Sequence, residues 1–181
     1  GRPRQRPPEH ATDALPLDER ARVRYGGRVT DTDQVLTIRS AMKDDAAAIA
    51  AVYLASFAAT YDFPMAHSAK EVRAWVRKDM LPQLDVWVAD QDDRVVGFIA
   101  CSPTTVEQLY IDPEHTGGGI GSFLLRTAKD HRLGGLDLWT FQVNDGARRF
   151  CARHGFTEVE LTDGSGNEEG QPDVRLVWAT A

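Results

Sequence analysis

The stretch "EHTGGGIGSFLL", residues 114–125, sets four glycines in five positions directly before an apolar helical pattern. Glycine destabilises a helix interior by about 1 kcal/mol relative to alanine and adds nothing to a core. Such a junction requires backbone without side chains, in a turn or against a ligand. The dinucleotide fingerprint Gly-x-Gly-x-x-Gly, started at Gly119, would end on Leu124, and no other register fits. The Walker pattern requires Gly-Lys-Ser/Thr, and the loop holds no lysine. What remains is a strand, a glycine loop and a helix, with backbone N–H groups at the positive end of the helix dipole. That arrangement binds a pyrophosphate. A ligand-free turn would be satisfied by one or two glycines, so four favour a ligand.

The rest of the chain supplies elements around this junction. "VLTIRSA" alternates and predicts a strand. "DDAAAIAAVYLASFAATY" sets Ile49, Val52, Tyr53, Ser56, Phe57 and Thr60 on one helical stripe. A second helix opens on the capping box "SAKE" at Ser68, carries Val72, Trp75, Val76 and Met80, and stops at Pro82. "DVWVAD" and "RVVGFIACS" predict a hairpin across the polar turn "DQDD", with the strand "TVEQLYI" after it. Behind the glycines, Ile120, Phe123, Leu124, Thr127, Ala128 and His131 share a helix face. "LDLWTFQV" predicts a strand and "NDGARRFCARH" a helix, capped by Asn144 and ended by Gly155. "FTEVELT" and "DVRLVWAT" close the chain as paired strands. This order predicts an α/β domain around a mostly antiparallel sheet over residues 35–181. Residues 1–34 read as an Arg/Pro-rich arm, flexible or loosely packed, with a short helix at "LDERARVRYGG". Trp75, Trp87, Trp139 and Trp178 fall at apolar spacing and read as core or interface.

Charge is unevenly placed. The first 30 residues carry seven Arg against four acidic residues, while the remainder carries 14 basic and 23 acidic residues. So acidic a body argues against nucleic acid as a partner and would attract cationic substrates weakly. The two cysteines, Cys101 and Cys151, form no Cys-x-x-Cys pair, which argues against a disulfide framework or a metal site. No apolar run reaches membrane length, and no secretory-type apolar stretch opens the sequence. The expectation is a soluble cytoplasmic protein with no membrane partner.

"LYIDPEHTGGGIGSFLL" resembles the acetyl-coenzyme A motif of the GNAT N-acetyltransferase superfamily, with Gly119 and Gly121 on its two glycines. "NDGARRFCARHGF" is similar to the family's following motif at Asn144, Ala147, Phe150, Gly155 and Phe156. The resemblance spans about residues 35–179. It implies a GNAT-like three-layer fold, a mostly antiparallel central sheet flanked by about four helices. It further implies that the amides of Gly117, Gly118, Gly119, Ile120, Gly121 and Ser122 cradle the pyrophosphate of acetyl-CoA. The backbone of Leu109, Tyr110 and Ile111 would pair with pantetheine, and Asn144, Ala147, Phe150 and Cys151 would line it. Two positions depart from the pattern. Thr116 stands where the family has Gln or Arg, and Cys151 where many members have a tyrosine that protonates the departing thiolate.

Acetyl transfer to an amine requires a neutral amine, a donor for the developing oxyanion and stabilisation of the thiolate. Glu107 is the carboxylate of "TVEQLYID" before its turn, a candidate base or a solvated strand residue. The N–H near Leu109 is the candidate oxyanion donor. Cys151 is a candidate acid or an inert core thiol, with Tyr110 as another donor. His154 reads as a cation at a helix end. Tyr61, Asp62, Phe63 and His67 lie where the family often borders its acceptor, and either shape specificity or form an ordinary polar loop. Glu168, Glu169 and Asp173 either attract a cationic acceptor or form a solvated turn. The function implied is acetyl transfer to a primary amine on a small molecule or peptide. The alternative is a CoA-binding sensor with little turnover. Homodimerisation through the final strands is compatible with this architecture.

Overall fold

The computed structural model describes residues 21–24, 35–132 and 134–180. Strands β1 (Ala21–Arg24), β2 (Val35–Ser40), β3 (Asp85–Gln91), β4 (Arg94–Cys101) and β5 (Val106–Ile111) lie side by side in that order, each neighbouring pair antiparallel. Strands β6 (Leu136–Phe141), β7 (Thr157–Leu161) and β8 (Asp173–Trp178) form a second antiparallel sheet, ordered β6-β8-β7. Helices α1 (Ala46–Thr60) and α2 (Ala69–Trp75) follow β2, and a π turn over Val76–Met80 leads to the short α3 (Leu81–Gln83). Helix α4 (Ile120–Asp130) follows the glycine loop, and α5 (Asp145–Arg153) joins β6 to β7.

β3 and β4 are buried on both faces, so they read as continuous apolar runs. On one face Val86, Val88 and Phe98 pack with Ile49, Val52, Val76 and Met80 of the α1–α3 segment. On the other, Ala89 and Ile99 pack with Leu124 and Leu125 of α4 and with Leu138 and Leu176 of the second sheet. The result is the three-layer α/β fold. The hairpin turns at Asp92 and Asp93, whose φ of 52° and 63° match the twist of a two-residue turn.

One expected element is different. Residues 21–24 form a strand, not a helix, pairing from Ala21 opposite Ile38 to Arg24 opposite Val35. The open edge of β2 offers backbone partners that a four-residue stretch cannot supply to itself, so pairing decides its state. The sheet thus takes in a strand before residue 35, and the remaining arm, residues 1–20 and 25–34, lies outside the described residues. Trp87 is buried and Trp75 and Trp178 are packed against the cores, but Trp139 is 43% exposed.

Candidate active site

Among the described residues, one isolated backbone bridge links the two sheets. Thr105 forms an isolated parallel bridge with Asp137, and the Asp137 N–H donates to the Thr104 carbonyl at 2.9 Å. Beyond it β5 and β6 part, and the gap is a cleft of about 820 Å³. Residues 106–111 form one wall and residues 138–141 the other. Gly117 and Gly119 to Ser122 close one end, and Asn144, Ala147, Phe150 and Cys151 of α5 line its length. Tyr53, Phe57 and Tyr61 of α1 and its C-cap also line it, with Glu169 from the β7–β8 loop. Of the residues singled out in sequence for the cofactor and the chemistry, only Gly118 does not line this cleft.

At the glycine end, Asp112 Oδ1 accepts from the Glu114 N–H at 3.0 Å, and the Thr116 hydroxyl donates to the Pro113 carbonyl at 3.1 Å. Thr116 thus braces its own turn. Gly117 and Gly119 have φ of 80° and 83°, a left-handed backbone that glycine alone adopts without strain. The Gly119 carbonyl accepts from the N–H groups of Ser122 and Phe123. The amides of Gly119, Ile120 and Gly121 have no acceptor among the described residues, as the first turn of a helix requires. A Cβ on Gly117 would meet nothing within 4 Å, so this side of the loop is open to a ligand. Gly121 has another role: its Cβ would contact the Phe150 ring at 3.4 Å, and its smallness seats α4 against α5. His115 lines the same end with its Nδ1 buried and without a hydrogen-bond partner. Free amides at a helix N-terminus, beside open space, fit the pyrophosphate of coenzyme A.

The Ser122 hydroxyl lies 2.9 Å from Nε2 of His154. Burial, then the charges of Lys129, Arg153 and Arg126, hold His154 below the ordinary histidine range. It is a neutral imidazole tied to the loop, not the cation expected at the end of α5.

Midway along the cleft, the β4–β5 register shifts from Ala100 opposite Gln108 to Cys101 opposite Val106. Glu107 is the extra residue of this bulge, exposed and lining the cleft. A bulge re-aims side chains and twists the strand away from its neighbour. β5 pairs with β4 on one edge and faces the cleft with the other, so its backbone is accessible there. Asn144 is engaged twice: Oδ1 accepts from the Ala147 N–H at 2.9 Å, and Nδ2 donates to the Tyr61 hydroxyl at 2.8 Å. It caps α5 and fixes that helix to the end of α1. Burial pushes the Cys151 thiol up to about 11, against a weaker pull from Lys129. Burial also raises Tyr110 well above the ordinary phenol, with Tyr53 and Tyr61 adding to it. Both groups keep their protons at neutral pH.

Sequence periodicity treated Tyr53, Phe57 and Phe141 as ordinary element residues, but they form a continuous aromatic wall. Ring centroids are 4.7 Å apart for Tyr53 and Tyr110, 4.8 Å for Phe57 and Tyr61, and 5.2 Å for Tyr61 and Phe141. Phe63, from the α1–α2 link, packs on Tyr61 and Phe141. His67 reaches Glu168 of the β7–β8 loop at 2.7 Å, so the two suspected acceptor segments touch. No signal in the sequence announces these pairings, which join residues up to 101 positions apart.

The acetyltransferase (GNAT) domain model matches residues 82–158. The peptidyl-lysine N-acetyltransferase YjaB of Escherichia coli is 32% identical over 112 residues, 61% of this chain and 73% of the relative. An uncharacterized N-acetyltransferase of Archaeoglobus fulgidus is 30% identical over 149 residues, 74% of this chain and all of its own length. The chain belongs to the GNAT superfamily. As a GNAT protein it is an acyltransferase. Its fold matches the solution structure of apo YjaB with a TM-score of 0.67 and 27% identity, over 81% of this chain and 99% of that one. It also matches the PaiA N-acetyltransferase of Thermoplasma acidophilum, solved in complex with coenzyme A, with a TM-score of 0.61 and 20% identity, over 80% and 99% of the two chains. Among the described residues no helix is long and apolar enough to cross a membrane.

Proposed function

We propose that this GNAT protein transfers acetyl from acetyl-CoA directly to a primary amine carried on a small molecule or a peptide. The observation that carries the reading is the continuity of the cleft. Free amides at the start of α4, an open strand edge on β5 and an aromatic, acidic chamber lie along one channel. The peptidyl-lysine specificity in the name of YjaB is consistent with such an acceptor. Bound there, acetyl-CoA would supply a thioester carbonyl; the neutral amine forms the C–N bond as C–S breaks, leaving an amide, a thiolate and one proton.

The amides of Gly119, Ile120 and Gly121 hold the pyrophosphate, and the free edge of β5 aligns the pantetheine arm. Glu107, turned out by the bulge, takes the proton of the amine through water. The N–H near Leu109 donates to the carbonyl oxygen. Cys151 and Tyr110 donate hydrogen bonds to the departing sulfur without giving up their protons. A thiol near 11 is a weaker acid than a departing thiol with a reference value of about 8.5, so transfer from it is uphill.

Thermal stabilisation by acetyl-CoA, followed by release of free thiol on adding primary amines, tests the reading. Stabilisation without thiol release would mark a CoA-binding sensor instead, and no stabilisation would exclude both. Glu107→Gln should lower kcat by about a hundredfold or more, while acetyl-CoA still stabilises the variant as it does wild type.

A further inference from the structure

Neighbouring carboxylates in the β7–β8 loop have opposite surroundings. Glu168 is exposed and tied through Oε2 to His67. Glu169 is half-buried and lines the cleft, and no salt bridge to it forms among the described residues, though its charge also reaches His67. The loop carrying it is braced. Asn167 Nδ2 donates to the Gln171 carbonyl at 2.7 Å and to Asp173 Oδ2 at 3.0 Å, and the Gln171 N–H returns to Asn167 Oδ1 at 3.2 Å. Glu169 is therefore a positioned charge.

Its charge acts on Tyr53, Tyr61 and Tyr110 together, adding in each case to the effect of burial in raising the phenol. One carboxylate without a salt bridge thus shares the cleft with three phenol rings. An anion would be repelled there, and an uncharged group would leave the carboxylate unanswered. An alkylammonium satisfies the carboxylate with its N–H groups and the rings with its charge.

We propose that Glu169, with Tyr53, Tyr61 and Tyr110, forms the subsite that receives the acceptor as a primary alkylammonium, excluding anionic aromatic amines. The proposal rests on the acetyltransferase reading above. An alkylamine with a reference pKa of about 10.4 arrives protonated at neutral pH, whereas its acetylated product is uncharged. Glu169 therefore discriminates substrate from product by charge, holding the one and releasing the other. The His67–Glu168 contact holds the loop that carries it against the α1–α2 link.

The test compares wild type, Glu169→Gln and Glu169→Asp at saturating acetyl-CoA, with 1,5-diaminopentane and 4-aminobenzoate as acceptors and free thiol as readout. Glu169→Gln should raise the KM for 1,5-diaminopentane about tenfold or more, as loss of a charged hydrogen bond requires. The KM for acetyl-CoA should be unchanged, and Glu169→Asp should recover part of the loss. Wild type should turn over 4-aminobenzoate poorly, and Glu169→Gln should not worsen it. A second readout needs no turnover: with CoA bound, 1,5-diaminopentane should raise the melting temperature of wild type but not of Glu169→Gln. A diamine KM within about twofold of wild type in Glu169→Gln overturns the subsite. So does a wild-type preference for 4-aminobenzoate, or a wild type that the diamine neither stabilises nor engages as substrate. If acetyl-CoA stabilises the protein in those cases, only the subsite fails. If acetyl-CoA stabilises neither wild type nor variant, the transferase reading fails and takes the subsite with it.

Discussion

Gly97 lies within β4 opposite Ile111 of β5, and its backbone is not left-handed. Space, not conformation, requires glycine there. A Cβ would stand 2.8 Å from Cδ1 of Ile111, 3.2 Å from the Tyr110 carbonyl oxygen and 3.3 Å from Cγ2 of Ile120. The Ile111 methyl can swing away, but the carbonyl moves only with β5, and Ile120 is the first residue of α4. Relief therefore displaces a wall of the cleft or the helix terminus that closes it. Overfilling a packed core in this way costs about 1–3 kcal/mol. For a domain of this size each kcal/mol lowers the melting temperature by about 2–4 °C, so Gly97→Ala should melt about 2–12 °C below wild type. Ile111→Val removes the offending Cδ1 and alone costs about 0.5–1.5 kcal/mol. The double variant should be more stable than the sum of the singles by about 0.5 kcal/mol or more. Urea and thermal unfolding of all four proteins, with and without acetyl-CoA, measures this. The acetyl-CoA stabilisation should shrink in Gly97→Ala and partly return in the double variant. A Gly97→Ala protein melting within about 1 °C of wild type, or strictly additive losses, would refute the packing argument.

At Gly117 the opposite balance holds, because a side chain there meets open space but must adopt φ of 80°. Gly117→Ala should lower stability by only about 1–2 kcal/mol, yet lose most of the stabilisation by acetyl-CoA. An unchanged ligand shift would remove Gly117 from the cradle. Cys101 and Cys151 are 0% and 3% exposed, and burial pushes their thiols up to about 12 and about 11. A thiol reagent at pH 8 should therefore label neither in the native protein and both after denaturation; fast native labelling would contradict the burial. The hydrogen bond to Glu168, then its charge, raises His67 above the ordinary histidine value, with Glu71 and Glu169 adding to it. That contribution is complete below the unfolded value of about 6.5 and disappears as pH rises through the folded one. His67→Gln should thus be less stable than wild type in acid and equal to it in alkali, and a pH-independent difference in urea unfolding counts against the pair.

Local signals were legible in sequence and long-range ones were not. The Ser68 capping box forms as its four residues dictate, with Glu71 Oε2 2.8 Å from the Ser68 N–H. Asn144 caps α5, and the glycine loop leads into α4. Each of these features closes within one turn of chain. β1 depends on the open edge of β2, and the Glu107 bulge on the register of β4, so neither is written in its own residues. That Glu169 lines the same cleft as tyrosines of α1 and β5 depends on the whole topology. Glycines show the same divide: Gly117, Gly121 and Gly97 are one letter with three causes, an open cradle, a helix seat and a crowded strand.

The fork between the sheets ties these features together. Asp137 accepts from the Thr105 hydroxyl at 2.5 Å and from Arg175 Nη2 at 2.6 Å, so its carboxylate ties the residue before β5 to β6 and β8 at one point. Immediately beyond the pin, the Glu107 bulge adds twist to β5, and a strand held at one end and twisted along its length must swing away from its neighbour. Without the pin the sheets would have no fixed separation. Without the bulge β5 would continue alongside β6 and consume the backbone edge that the cleft exposes. The bulge therefore does two things at once. It helps to open the cleft and adds an exposed carboxylate to its lining, so the candidate base and the cleft arise from one irregularity in the sheet.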